Sequence, residues 1–214
     1  MIVVIGSARL RGKGPEATAD GLGALVAVAA VRGGARVELI SKIGDDAIGD
    51  ELSLALARAG IGHVATLRDA AHATVHLAAE DAEDGVTDVA EPSIDPADIP
   101  IDGDADEPTL DPADVELALR YLSDYRVIVV ARPAEVAIVH AAATAADWAN
   151  AHLVVALASG MDSPAGLPAD ALIITADEDD GGALAGLLGA YAAAIDGGTP
   201  LAEAFDAFRA AATT

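Results

Sequence analysis

Glu178, Asp179 and Asp180 stand directly before Gly181 and Gly182, and an Ala-rich stretch of helical character follows them. Two chemistries are open to that arrangement. Backbone amides at a helix start can hold an anion, and Gly181 and Gly182 would supply such amides. The three carboxylates in front repel a polyphosphate unless a cation bridges the two, so the same run also reads as a divalent-cation site. A plainer role is helix stabilisation, because acids in a first turn favour the helix dipole. Other constellations are less complete. Gly12-Lys13-Gly14 lacks the Lys-Ser/Thr that a phosphate loop needs. Gly21-x-Gly23 lacks the third glycine and the acidic ribose contact of a dinucleotide fingerprint. His72 and His76 share a face of the strand expected there, but no third ligand is near, which makes them an exposed pair rather than a metal site. His63, His140 and His152 are expected to be structural, and Trp148 is expected to pack beneath its helix.

Composition narrows the classes. A chain of 214 residues, 53% of them hydrophobic, can bury one sizeable core, and a single α/β domain over 1–214 is the simplest expectation. With 3% aromatic residues, that core must be Ala, Val, Leu and Ile, which suits buried parallel strands. The absence of cysteine excludes disulfides, thiolate metal sites and cysteine nucleophiles. A formal charge of −23 with only two lysines, Lys13 and Lys42, argues against nucleic acid, which needs clustered cations. An Asp-rich, Lys-poor surface fits a halophilic, high-salt cytoplasm, where screening relieves self-repulsion. No stretch approaches the roughly 20 apolar residues of a membrane helix, and the short apolar N-terminus is no signal peptide, so the expected location is the cytoplasm.

Apolar runs at Ile2–Ile5, Val37–Ser41, Val127–Ala131, Leu153–Ala158 and Ala171–Thr175 read as buried strands. Helical spacing or composition covers Leu22–Arg32, Asp46–Ala59, Ala113–Leu122, Ala134–Ala149, Gly182–Ile195 and Pro200–Ala212, the last with Thr199 as N-cap. The alternation predicts a three-layer α/β sandwich with a mostly parallel central sheet. Thr74–Ala79 is expected to be a strand on its own. Glu80–Asp114 holds 14 acids, no Lys or Arg and five of the ten prolines, so a solvated acidic loop is expected over about 80–112.

Arg36–Ile61, RVELISKIGDDAIGDELSLALARAGI, and within it Ile43-Gly44-Asp45-Asp46-Ala47-Ile48-Gly49, resembles the ribokinase-like (PfkB) carbohydrate kinases. The resemblance covers residues 1–80 well and 110–214 loosely. It implies a kinase fold with a small β lid over the sugar, here about 9–19 and 74–80. The segments Arg9–Ala19 and Thr74–Glu80 are those through which two lids would clasp in a homodimer. It also implies a catalytic Asp in a Gly-Ala-Gly-Asp turn, where this chain has Asp179-Asp180-Gly181-Gly182 and the base position falls on Gly182. The family's sugar-binding Asn aligns with Leu25, which cannot hydrogen-bond. No acid follows the first strand in Gly6–Gly12. The family's Asn-x-x-Glu, which organises magnesium, keeps only Glu178, and the strands of its adenine pocket are missing. What remains of the substrate pocket is Gly21, Gly23, Leu25 and Arg11, with Gly181 and Gly182 as an anion-hole remnant. Three readings follow. The first is a truncated, non-catalytic homologue binding a small molecule or partner. The second is a working sugar or nucleoside kinase using ATP and Mg, with Asp180 as base. The third is an interaction subunit pairing through its lid.

Overall fold

The computed structural model describes residues 1–78, 107–176 and 181–213. The main sheet has six strands in the order β5-β4-β1-β7-β8-β9, all paired in parallel. They are β1 (Ile2–Gly6), β4 (Val37–Gly44), β5 (Thr66–Asp69), β7 (Val127–Ala131), β8 (His152–Ala158) and β9 (Leu172–Ala176). Alternation along each strand builds two cores. Ile2 and Val4 face one layer with Leu39, Val127, Val129 and Val154, while Val3 and Ile5 face the other with Ile40, Ile128 and Val155. Parallel strands buried on both faces have no solvent side, which is why these runs lack polar alternation.

The first core is closed by α1 (Leu22–Arg32), α2 (Ala47–Arg58), α5 (Gly181–Asp196) and α6 (Leu201–Ala212). The second is closed by α3 (Pro112–Tyr121) and α4 (Val136–Ala149). Small residues let α1 and α5 approach closely: a Cβ on Gly189 would lie 2.4 Å from the Ala29 Cβ. The Ala-rich composition thus serves helix–helix and helix–sheet contact in a three-layer sandwich. Among the described residues the sheet ends at β9, and α5 begins at Gly181.

A second, three-stranded sheet is formed by β2 (Arg9–Arg11), β3 (Thr18–Asp20) and β6 (His76–Leu77), in the order β3-β2-β6. This is the small lid. The motif at the end of β4 holds it down. Asp46 caps α2 by accepting from the Gly49 amide at 2.7 Å, and its second oxygen accepts from the Thr74 amide at 2.7 Å. Burial works against the Asp46 charge, but those amides prevail and keep its pKa below the usual carboxylate value. Thr74 in turn accepts from the Gly44 amide at 2.9 Å. One aspartate therefore joins the α2 start to the strand entering the lid.

Several expectations are corrected. The strand at Thr74–Ala79 is confined to His76–Leu77, since Thr74 is used as a tether. His72 lies outside any strand against Asp69, at 2.8 Å, whereas His76 contacts the Gly12 carbonyl from β6; they are not a strand pair. Pro200, not Thr199, is the α6 N-cap, with no side-chain cap bond. Trp148 is 88% exposed instead of packed beneath α4. Residues 79–106 of the acidic loop and the lid end lie outside the described residues.

His152 is structural, as expected, and sensitive to pH. It is 7% exposed, its Nε2 meets the Tyr191 hydroxyl at 3.1 Å, and its Nδ1 is 3.7 Å from Asp170. Burial lowers its pKa below 6.5, with Asp170 opposing. The native state therefore prefers neutral His152, and the unfolded chain binds the extra proton first as pH falls. That stability is complete above pH 6.5 and is lost on acidification below it. Thermal melts from pH 7.5 down to about 5 should show a steeper loss for the native chain than for His152→Gln. Parallel curves for the two proteins would contradict this.

Candidate functional site

The strand order reverses direction at β1. From β1 the chain builds outward to β4 and β5, then returns to add β7, β8 and β9 on the other side. Ligands of open α/β sheets bind at such a switch point, outside the carboxyl ends of the strands. A cavity of about 510 Å³ lies there. Its walls come from the β1 exit (Gly6, Ser7), the carboxyl half of β4 (Ser41, Lys42), the β7 exit (Arg132) and the lid (Arg9, Asp20). Glu107, Pro108, Thr109 and Leu110, where the chain re-enters the described structure, complete the rim. The size is that of a small-molecule site, commonly about 300–1,000 Å³.

The polar groups are arranged in pairs around this mouth. Arg9 reaches from the lid to Glu107 with two bonds, at 3.0 and 2.7 Å, tying the lid to the rim. Arg11 binds Asp20 at 2.5 Å across β2 and β3, and Asp20 also accepts from the Gly21 amide. Lys42 donates to Asp114 at 2.9 Å; this bond raises its pKa, while burial acts the other way. Ser41 is fully buried and its Oγ has no hydrogen-bond partner among the described residues. An unsatisfied buried hydroxyl costs about 1–3 kcal/mol, and a ligand hydroxyl would remove that cost. Arg132 holds a left-handed backbone, φ 49°, directly before Pro133. For a residue with a Cβ that conformation costs roughly 1–2 kcal/mol, a strain of the kind retained at ligand sites.

The residues singled out from sequence divide. Gly21 and Leu25 line the cavity. Gly21 opens α1 at φ 87°, where a side chain would be strained and would crowd Ser7. Arg11 stands in the lid bonded to Asp20 and is not among the residues lining the cavity. Gly23 is a packing residue: a Cβ there would lie 2.7 Å from the Gly6 carbonyl carbon. Gly182 is exposed in the first turn of α5 and lines a separate groove with Leu25, Ala29 and Arg58. Glu178, Asp179 and Asp180 lie outside the described residues, and Gly181 begins α5. Among the described residues no group of three His, Asp or Glu is placed to hold a metal ion, and no helix is long and apolar enough to cross a membrane.

Sequence reasoning passed over Ser41, Lys42, Asp20 and Arg132. The sequence has no acid directly after β1; Asp20, immediately before the glycine that opens α1, is an acid that lines the cavity. For Arg132 the usable signal was a lone cation between an all-apolar strand and a proline.

No protein-family model and no curated protein matches the chain. Solved structures do. A protein assigned as ribokinase II from E. coli, solved with ATP and Mg²⁺, superposes with a TM-score of 0.60 at 14% identity, covering 95% of this chain and 88% of its own. A protein assigned as a ribokinase from Agrobacterium tumefaciens gives 0.54 at 14% identity, covering 95% and 86%. An uncharacterized sugar kinase from Pyrococcus horikoshii gives 0.46 at 17% identity over 75% of this chain, which spans 53% of that kinase, about half its length. The chain has a ribokinase-like fold, a six-stranded parallel sheet between two helical layers.

Proposed function

We propose that this protein is a ribokinase-like binder of a small hydroxylated ligand that does not transfer phosphate. The observation that carries the reading is an asymmetry. The mouth at β1, β4 and β7 is a furnished cavity under a tethered lid, with the Ser41 hydroxyl buried and without a hydrogen-bond partner among the described residues. The place where the family resemblance puts the catalytic carboxylate is Gly182, which has no side chain and is exposed. Phosphoryl transfer to a hydroxyl needs that carboxylate to take the proton, and it needs donors for the phosphoryl oxygens. Here the α5 start is preceded in sequence by Glu178, Asp179 and Asp180, which oppose a polyphosphate, and among the described residues no strand stands between β9 and α5 to build an adenine slot.

Magnesium-ATP titrated calorimetrically into the protein in molar KCl should give no binding in the micromolar range. Micromolar affinity would overturn the reading. One observation favours a second reading, an active sugar kinase with Asp180 as base: the chain spans 88% of an E. coli protein solved with ATP and Mg²⁺. The fold likeness carries no catalytic residue with it, so we rank that reading second.

A further inference from the structure

We propose that the groove shared by α1, α2 and the start of α5 is a second binding site, and that its ligand is a straight-chain carboxylate. The tail lies along the apolar face of α1 and the head meets Arg32 and Arg58. Whatever the cavity at the sheet mouth binds, this groove is separate from it, with only Leu25 lining both. Its volume of about 600 Å³ is within the range of small-molecule sites. Three helices build it, each from one face. Leu25, Val28 and Arg32 recur at i, i+3 and i+7 along α1. Ala55 and Arg58 contribute from α2 and Gly186 from α5, and residues 15–19 of the lid hairpin join the lining.

Charge selects the head group. Arg32 and Arg58 line the groove against Glu16, a surplus of one positive charge on a chain of formal charge −23. Among the described residues neither arginine has a carboxylate partner. Arg58 donates to two backbone carbonyls, that of Leu54 at 3.2 Å and that of Pro15, and Arg32 forms no ion pair. By contrast Arg9, Arg11 and Arg68 are engaged by Glu107, Asp20 and Asp50. Arg32 and Arg58 each stand in the last turn of their helix, where a cation favours the dipole, but that role does not require them to face one groove. A concave site of inverted sign draws anions from an otherwise repellent surface, and one carboxylate matches a surplus of one charge. The tail follows from the rest of the lining. Leu25 and Val28 pack on the core, the remaining positions are mostly Ala and Gly, and no aromatic side chain lines the groove. Apart from Glu16 and the two arginines, its only polar side chain is Thr18. A hydroxylated ligand would lose water there without finding partners, whereas methylenes gain from burial.

Calorimetric titration of the full chain in about 0.1 M KCl, where charges within roughly 10 Å still feel one another, would compare octanoate, octanol, octylammonium and acetate. Octanoate should bind about threefold or more tighter than octanol, the scale of one or two exposed ion pairs, and octylammonium should bind more weakly than octanol. Acetate should not bind at concentrations where octanoate saturates, because buried methylenes supply most of the affinity. Gly186→Leu puts a side chain into the groove. Nothing lies within 4 Å of a Cβ there and leucine is the better helix former, so the variant should fold with a Tm no lower than that of the native chain. It should weaken octanoate by about tenfold or more. Arg32→Gln combined with Arg58→Gln should bring octanoate and octanol to within about twofold. Octanol, octylammonium or acetate binding as tightly as octanoate would overturn the inference, as would a preference for octanoate that survives the double variant. Unchanged octanoate affinity in folded Gly186→Leu would place the ligand elsewhere and overturn it too. No octanoate binding at millimolar concentration would overturn it while leaving the reading of the sheet-mouth cavity untouched.

Discussion

Gly182→Asp should give a folded protein that still phosphorylates neither ribose, fructose phosphate nor adenosine with ATP. The substitution restores the carboxylate where the family resemblance places the general base. It should not disturb the fold, because a Cβ at Gly182 meets nothing within 4 Å. An acid in the first turn of α5 also favours the helix dipole by roughly 0.3–1 kcal/mol. Folding failure is thus not available as an excuse, and an inactive variant reports on the nucleotide side. A general base contributes typically about 10²–10⁴-fold and only when a phosphoryl donor is bound and aligned. Turnover by this variant would mean that the ATP site is intact and that the C-terminal half has been misread.

Gly23→Ala should destabilise the protein by about 2 kcal/mol. Two terms oppose each other. Alanine gains about 1 kcal/mol over glycine inside a helix such as α1. Against this, the new Cβ would lie 2.7 and 2.8 Å from backbone atoms of Gly6 and 2.8 Å from the Ser7 carbonyl oxygen. Backbone cannot rotate away as a side chain can, so overpacking here belongs at the upper end of its range, about 3 kcal/mol. The net loss corresponds to roughly 4–8 °C in Tm for a chain of this size. Gly186→Ala in α5 is the control. Nothing lies within 4 Å of its Cβ position, so the same change should stabilise by up to about 1 kcal/mol. An equal response at both sites would show that α1 does not rest on the β1 exit as described. Because that contact also shapes the cavity wall, Gly23→Ala should weaken ligand binding as well.

Much of the scaffold was legible because its signals are local. Val127–Ala131 is an unbroken apolar run and forms β7 over those residues; Leu22–Arg32, closed by Gly33-Gly34, forms α1 over its expected span. The strand β5 was missed, since Thr66–Asp69 carries polar and charged residues at an edge of the sheet. The lid strands were placed only by family resemblance. Arg9-Leu10-Arg11 has one buried residue in three, too short a pattern to reveal a period. Trp148 was misread because hydrophobicity alone does not say which side of α4 faces the sheet; five of that helix's residues are buried and Trp148 is not among them.

The site divides in the same way. Gly21 and Leu25 could be located from the start of α1, whereas Ser41, Lys42 and Arg132 could not. Each is a polar residue within or at the end of an apolar strand, and what joins them is the adjacency of β4, β1 and β7 in the sheet. That adjacency is a property of topology, not of spacing along the chain. The sequence also carries an expectation about residues 178–180, the acids before α5, which lie outside the described residues and on which the kinase alternative depends.

The direct test of the central claim is a phosphotransfer assay of the unmodified protein. Radiolabelled ATP and Mg²⁺ would be incubated at high KCl with ribose, fructose phosphate, adenosine and gluconate, and labelled product would be resolved from ATP. The account predicts no product above the protein-free control with any acceptor. Stoichiometric product that disappears in Asp180→Asn, whose amide cannot take the hydroxyl proton, would contradict it and establish the protein as a kinase.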